Sequence, residues 1–140
     1  MTVKVEFHDD VQATAERIWD VLTDVKHYPE WVQDISAVDP PAGPVQRDTT
    51  FRFKLSGLTY RVTVLEAERP QRLTWYGVGN GLKTTHEWEL VEAGGKTRVR
   101  NTEITNGWLA TIAYPIVKRG MSKIEAKWLA DLRRKAEERP

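Results

Sequence analysis

LTWYGVGNGLKTTHEWELVEAGGKTRVRNTEI, residues 73–104, decides the fold. Apolar and polar residues alternate through it on both sides of Asn80-Gly81 and of Gly94-Gly95. Asn-Gly is a strong hairpin signal, because the tight two-residue turn needs positive φ at both central positions. With the loop there, Trp75 lies opposite His86 and Leu73 opposite Trp88. A second loop at Gly94-Gly95 sets His86 against Glu103, Trp88 against Asn101 and Leu90 against Val99. Both registers match inward residues with inward residues. One row, Trp75, His86 and Glu103, therefore crosses three strands, with directly opposed Cβ atoms ~5 Å apart.

The alternation continues outward from this stretch. Phe51, Phe53 and Leu55 face one way, as do Tyr60, Val62 and Val64, while Arg52, Lys54, Arg61, Lys83, Glu87, Glu89, Arg98 and Arg100 occupy the other face. This is an antiparallel meander with one wet side. At the amino end Val3, Val5 and Phe7 predict a strand over residues 2–9. Thr14 then caps a helix whose Ala15, Ile18, Trp19 and Leu22 form one apolar stripe. HYPEW, residues 27–31, follows that helix, and prolines at 40, 41 and 44 mark a loop. From Trp108 the period becomes helical, with Ile112, Ile116, Gly120, Ile124, Trp128 and Leu132 on one stripe; Pro115 either kinks this helix or begins its main part. The order predicts an α+β fold, a twisted antiparallel sheet with a long carboxy-terminal helix across one face.

Composition narrows the function. The chain has 140 residues and net charge +1, which predicts one domain over residues 1–140 and gives no field to steer it toward nucleic acid. Arg133, Arg134 and Lys135 are followed by Glu137 and Glu138, as at a solvated helix end. Cysteine is absent, so disulfides and thiolate chemistry are excluded. The amino end has no signal-peptide run, and no stretch approaches the ~20 apolar residues of a membrane span, so a cytoplasmic protein is expected. His8, His27 and His86 fall in three different settings and suggest no metal trio, so neither metal nor cofactor is expected. Ser36, Ser56 and Ser122 lack a nucleophile elbow, and V-G-N-G lacks the setting of a phosphate loop. Gly77, Gly79 and Gly81 read as residues that bend the sheet edge and leave room for a ligand.

ATAERIWDVLTDVKHYPEWVQDI (13–35), RPQRLTW (69–75) and THEWELVEAGGKTRVRNTEITNG (85–107), followed by the long helix, together resemble the polyketide cyclase/dehydrase family of the START-like (SRPBCC, helix-grip) superfamily. Trp19 with Asp24, Tyr28, Pro29 and Trp31 carries the resemblance most specifically. It implies a curved seven-stranded sheet wrapped around the carboxy-terminal helix, with short helices between the first two strands closing one end of an elongated apolar cavity. Tyr28 and Trp31 would plug that end, either as core filler or as ligand-lining rings. Phe51, Phe53, Tyr60, Val62, Trp75 and Trp88 would line the sheet side, and Ile112, Ile116 and Gly120 the helix side. His86, Glu103 and Asn101 are the polar groups expected inside. The His86–Glu103 pair either satisfies itself across the ladder or moves protons for a ligand. Arg61 and Arg98 point outward, so the pocket arginine of aromatase/cyclase relatives has no clear counterpart.

Three functions follow as expectations. The first is binding of a small hydrophobic ligand, with aromatic walls suited to a planar or polyketide-like molecule, in a carrier, sequestration or resistance role. The second is a polyketide cyclase/dehydrase (aromatase) using His86 and Glu103 for proton transfer. The third is a coenzyme Q-binding or protein-interaction module. The sequence carries no signature of oligomeric state.

Overall fold

The computed structural model describes residues 2–138. Seven strands, β1 (Val3–Val11), β2 (Ile35–Asp39), β3 (Thr50–Leu55), β4 (Leu58–Glu68), β5 (Arg72–Gly79), β6 (Leu82–Ala93) and β7 (Lys96–Asn106), form one sheet in the order β1-β7-β6-β5-β4-β3-β2. All neighbours are antiparallel. Helices α1 (Ala15–Thr23) and α2 (Tyr28–Trp31), joined by a 3-10 turn at Val25–His27, lie between β1 and β2, and α3 (Trp108–Ile112) and α4 (Tyr114–Glu137) follow β7. This is the helix-grip arrangement, a curved sheet closed by a long carboxy-terminal helix.

Both expected hairpin registers are present: Trp75 pairs with His86, His86 with Glu103, and Trp88 with Asn101. Asn80 and Gly81 have φ of 56° and 78°, the left-handed geometry that the two-residue turn requires. Glycine is needed at 81 for a second reason. A Cβ there would stand 2.7 Å from the Trp108 ring, which lies over the turn.

Thr14 caps α1 by accepting from the Arg17 N–H at 3.2 Å, and Ala15, Ile18, Trp19 and Leu22 are buried as their spacing predicts. Tyr28 donates from its hydroxyl to the Leu22 carbonyl, which ties α2 back to α1. Arg134 donates to the Trp31 carbonyl at 2.9 Å, and the buried Asp131 accepts from the Gln33 backbone and side-chain N–H groups at 2.9 and 2.8 Å. These bonds fasten the HYPEW region to the last turns of α4. His27 stays on the outside of that region, half exposed and 2.7 Å from Asp24.

The inward stripe differs from expectation at its start. Ala113, at φ −122° and ψ 37°, breaks the helix, and Pro115 opens α4 in its first turn, where the missing N–H costs no bond. The break rotates the phase of what precedes it. The break turns Ile112 outward, and within α4 a strict four-residue spacing drifts about 40° per step, which carries Ile116 off the face of Met121 and Trp128; the two are 73% and 76% exposed rather than turned toward the sheet. The buried face of α4 begins at Met121 and continues through Glu125, Trp128 and Leu132.

Trp128 is the centre of the core. Its ring centroid lies 5.4–6.0 Å from those of His86, Tyr28, Phe53, Trp75 and Trp88. Offset and edge-on contacts at this separation are the favoured aromatic geometry, so six rings fill the sheet-helix space around α1 and α2.

Candidate functional site

Beyond Trp128 the sheet and α4 diverge and leave a cavity of about 180 Å3. Strands β3 to β7 supply Phe53, Leu55, Tyr60, Val62, Trp75, Gly77, Leu82, Thr84, His86, Glu103 and Thr105; α4 supplies Val117, Gly120, Met121, Ile124, Glu125 and Trp128. Strand alternation sends every second side chain inward, which is why lining residues differ by two within each strand. Gly77 leaves open the wall opposite Thr84, and Gly79, where a Cβ would meet the Thr59 carbonyl at 2.5 Å, lets β4 and β5 approach closely at the rim.

The expected site residues divide at Trp128. Phe53, Tyr60, Val62, Trp75, His86, Glu103 and Gly120 line the cavity. Gly120 does so from an exposed position on α4, with no atom within 4 Å of where its Cβ would stand. Tyr28, Trp31, Phe51, Trp88 and Asn101 are buried but lie outside the cavity wall, because Trp128 and the α2 rings occupy that half of the grip. Ile112 and Ile116 are outside it too, for the helix-phase reason given above.

Three polar side chains converge inside. His86 Nε2 stands 3.0 Å from Glu125 Oε2, yet the two atoms lack the alignment of a hydrogen bond and have no other partner. A ligating atom of Glu103 lies with them, all three within 4.8 Å of one another. His86 and Glu125 are 2% and 1% exposed, while Glu103 is half-buried. Burial pushes the Glu103 carboxyl well above its usual range, and the facing Glu125 raises it further. Glu125 is also raised by burial, opposed by the nearby Glu103 and Asn101 side chains. Burial lowers His86 to about 4 despite the pull of Glu103 and Glu87. Near neutral pH the imidazole is therefore uncharged, and burial favours the protonated form of both carboxyls. Tyr60, at the same end, is raised by burial and by Glu103.

This arrangement offers two carboxyl groups and a neutral imidazole at one point of an apolar chamber. It is also the grouping, among the described residues, from which a divalent ion could draw three ligand atoms. Sequence reasoning weighed only histidine trios and overlooked Glu125. The signal was present: Met121, Glu125, Trp128 and Leu132 recur at the four-three-four spacing of a buried helix face, with a carboxylate at a core position.

Residues 2–137 match the model of a family described as polyketide cyclase / dehydrase and lipid transport. The chain belongs to that family. No curated protein sequence matches this polyketide cyclase/dehydrase family member. Among solved structures it is similar to the Zhui aromatase/cyclase from Streptomyces sp. R1128, with a TM-score of 0.85 at 16% identity, covering 98% of this chain and 94% of that one. A hypothetical protein from Helicobacter pylori gives a TM-score of 0.82 at 19% identity over 98% of this chain and 88% of that one. A START superfamily protein from Mycobacterium smegmatis gives 0.80 at 18% identity, over 96% and 97%. These likenesses establish the shared fold. No helix among the described residues is long and apolar enough to cross a membrane.

Proposed function

We propose that this family member binds a small hydrophobic molecule of about one ring between the sheet and α4, and carries or sequesters it. The observation that supports the reading is the cavity, walled by Phe53, Val62, Trp75 and Trp128 with its polar groups gathered at one point. Apolar walls with a few convergent polar groups are the usual make-up of a small-molecule site. Volume sets the scale of the ligand. A cavity of ~150 Å3 accepts benzene, so about 180 Å3 takes one ring with a short chain, whereas a multi-ring molecule would have to displace side chains. A thermal-shift screen of one-ring aromatics, quinones, aromatic polyketides, lipids and sterols tests this. A ligand that binds only the folded chain stabilises it by about 2.7 kcal/mol at 100 times its dissociation constant. One-ring compounds are expected to raise the melting temperature more than polycyclic ones, and a panel without any shift would refute the reading.

A second reading is favoured by Glu103 and Glu125, both raised by burial, beside a neutral imidazole. A carboxyl kept protonated near neutral pH donates to a ligand carbonyl, and His86 accepts a proton in return. An aromatase/cyclase shares the fold, so cyclisation is the reaction class to assay first. Under this reading Glu103→Gln lowers turnover about 10²–10⁴-fold while binding survives. Undiminished turnover in that variant would remove Glu103 from the chemistry.

A further inference from the structure

The cavity lining contains two carboxyl side chains and neither lysine nor arginine. Lys54, Arg61 and Lys83, from strands that wall it, lie on the outer face of the sheet, and Lys118, Arg119 and Lys123 lie on the outer side of α4. The interior is thus acidic without an internal counter-charge. Its polar atoms are also poorly satisfied: His86 Nε2 and Glu125 Oε2 have no hydrogen-bond partner. Unpaired groups at this depth are costly, and a ligand that bonds them recovers that cost. Around the acidic point stand Phe53, Tyr60, Trp75 and Trp128. Aromatic faces attract cations, tryptophan most strongly. An anion would be repelled here, and a neutral molecule would leave the carboxyls without a counter-charge.

We propose that the ligand is a small hydrophobic amine, bound as its ammonium, which donates N–H groups to Glu103 and Glu125 while its apolar body lies against Phe53, Trp75 and Trp128. The inference rests on the reading of this cavity as a binding site and specifies what enters it. A divalent ion would use the same three ligand atoms and leave the apolar volume unfilled. An amine with one ring uses both. The titratable groups facing the ammonium are Tyr60 from β4, His86 from β6, Glu103 from β7 and Glu125 from α4.

Calorimetry with 2-phenylethylamine, 2-phenylethanol and 3-phenylpropionate tests the proposal, with zinc chloride as a separate arm. The amine is expected to bind at least about tenfold more tightly than the alcohol, the scale of a charge-assisted hydrogen bond. Glu125→Gln should weaken the amine about tenfold or more and change the alcohol by less than about twofold. If that variant does not fold, the wild-type ratio of amine to alcohol decides alone. Equal binding of amine and alcohol would overturn the amine and leave the cavity reading standing. Stoichiometric zinc binding that the amine cannot compete with would overturn it in favour of a metal. Binding by none of the probes would overturn it as well, and the broader ligand screen then decides the cavity reading separately.

Discussion

Burying an imidazole among Trp75, Trp88 and Trp128 strips it of water, and the cation suffers most. His86 consequently titrates at about 4 in the native state against 6.5 in an unfolded chain. A group with a depressed native pKa binds fewer protons folded than unfolded. Its contribution to stability is present above pH 6.5 and is lost as pH falls from 6.5 through about 4. The His86 ring resonances followed by NMR should therefore stay at their neutral positions from pH 8 to pH 5 and move with a midpoint near 4. A midpoint at or above 6.5 would mean that the ring is hydrated, and the enclosed triad would not exist. The partner carboxylate, Glu125, shows what one sequence conceals at this scale. Glutamate suits an exposed helix face so well that its place on a core stripe is read as noise unless the phase of the helix is already fixed.

Elements whose period is set by local geometry were legible in the sequence. The Asn80-Gly81 and Gly94-Gly95 turns and the alternation between them yielded the Trp75–His86–Glu103 row at its observed register, because a one-residue slip would turn every buried side chain outward. The start of α4 was not legible. A stripe drawn through Ile112 and Ile116 assumes one unbroken helix with a strict four-residue repeat; the break at Ala113 removes Ile112, and the drift of that repeat against 3.6 residues per turn carries Ile116 off the buried face. Two substitutions test the elements that bound the site. Trp31, 3% exposed and edge-on to Tyr28, should cost roughly 3–5 kcal/mol in urea unfolding when changed to alanine, the usual loss for a buried large aromatic. A loss under about 1 kcal/mol would show that α2 does not close that end. Gly120→Leu puts a side chain into open space on α4 at the cavity wall. Replacing a mid-helix glycine should stabilise by several tenths of a kcal/mol, yet the leucine narrows the cavity, so ligand affinity should fall while the melting temperature rises. Unchanged affinity would place the route of entry elsewhere.

At the scale of the whole molecule the grip is half filled and half hollow, and Trp128 is the partition. On one side the aromatic rings of α2, β3 and β6 pack to the density of a core; on the other, β3 to β7 and α4 enclose about 180 Å3. The resemblance implied one elongated cavity, but residues that share a face of the sheet do not thereby share a space. Only the position of α4 decides which of them a ligand can reach, and that position depends on contacts far apart in sequence, such as Asp131 with Gln33. The six tryptophans report on both halves. Trp75 and Trp128 line the hollow half, Trp19, Trp31 and Trp88 lie buried away from the lining, and Trp108 is exposed on α3. The most direct test of the central claim follows their indole N–H signals by NMR while one-ring probes, neutral and aminated, are titrated to millimolar concentration. Movement of the Trp75 and Trp128 signals, with those of Trp19, Trp31 and Trp108 unmoved, is the predicted result. Signals that move only at Trp108, or no movement at Trp75 and Trp128 with any probe, would contradict binding in this cavity.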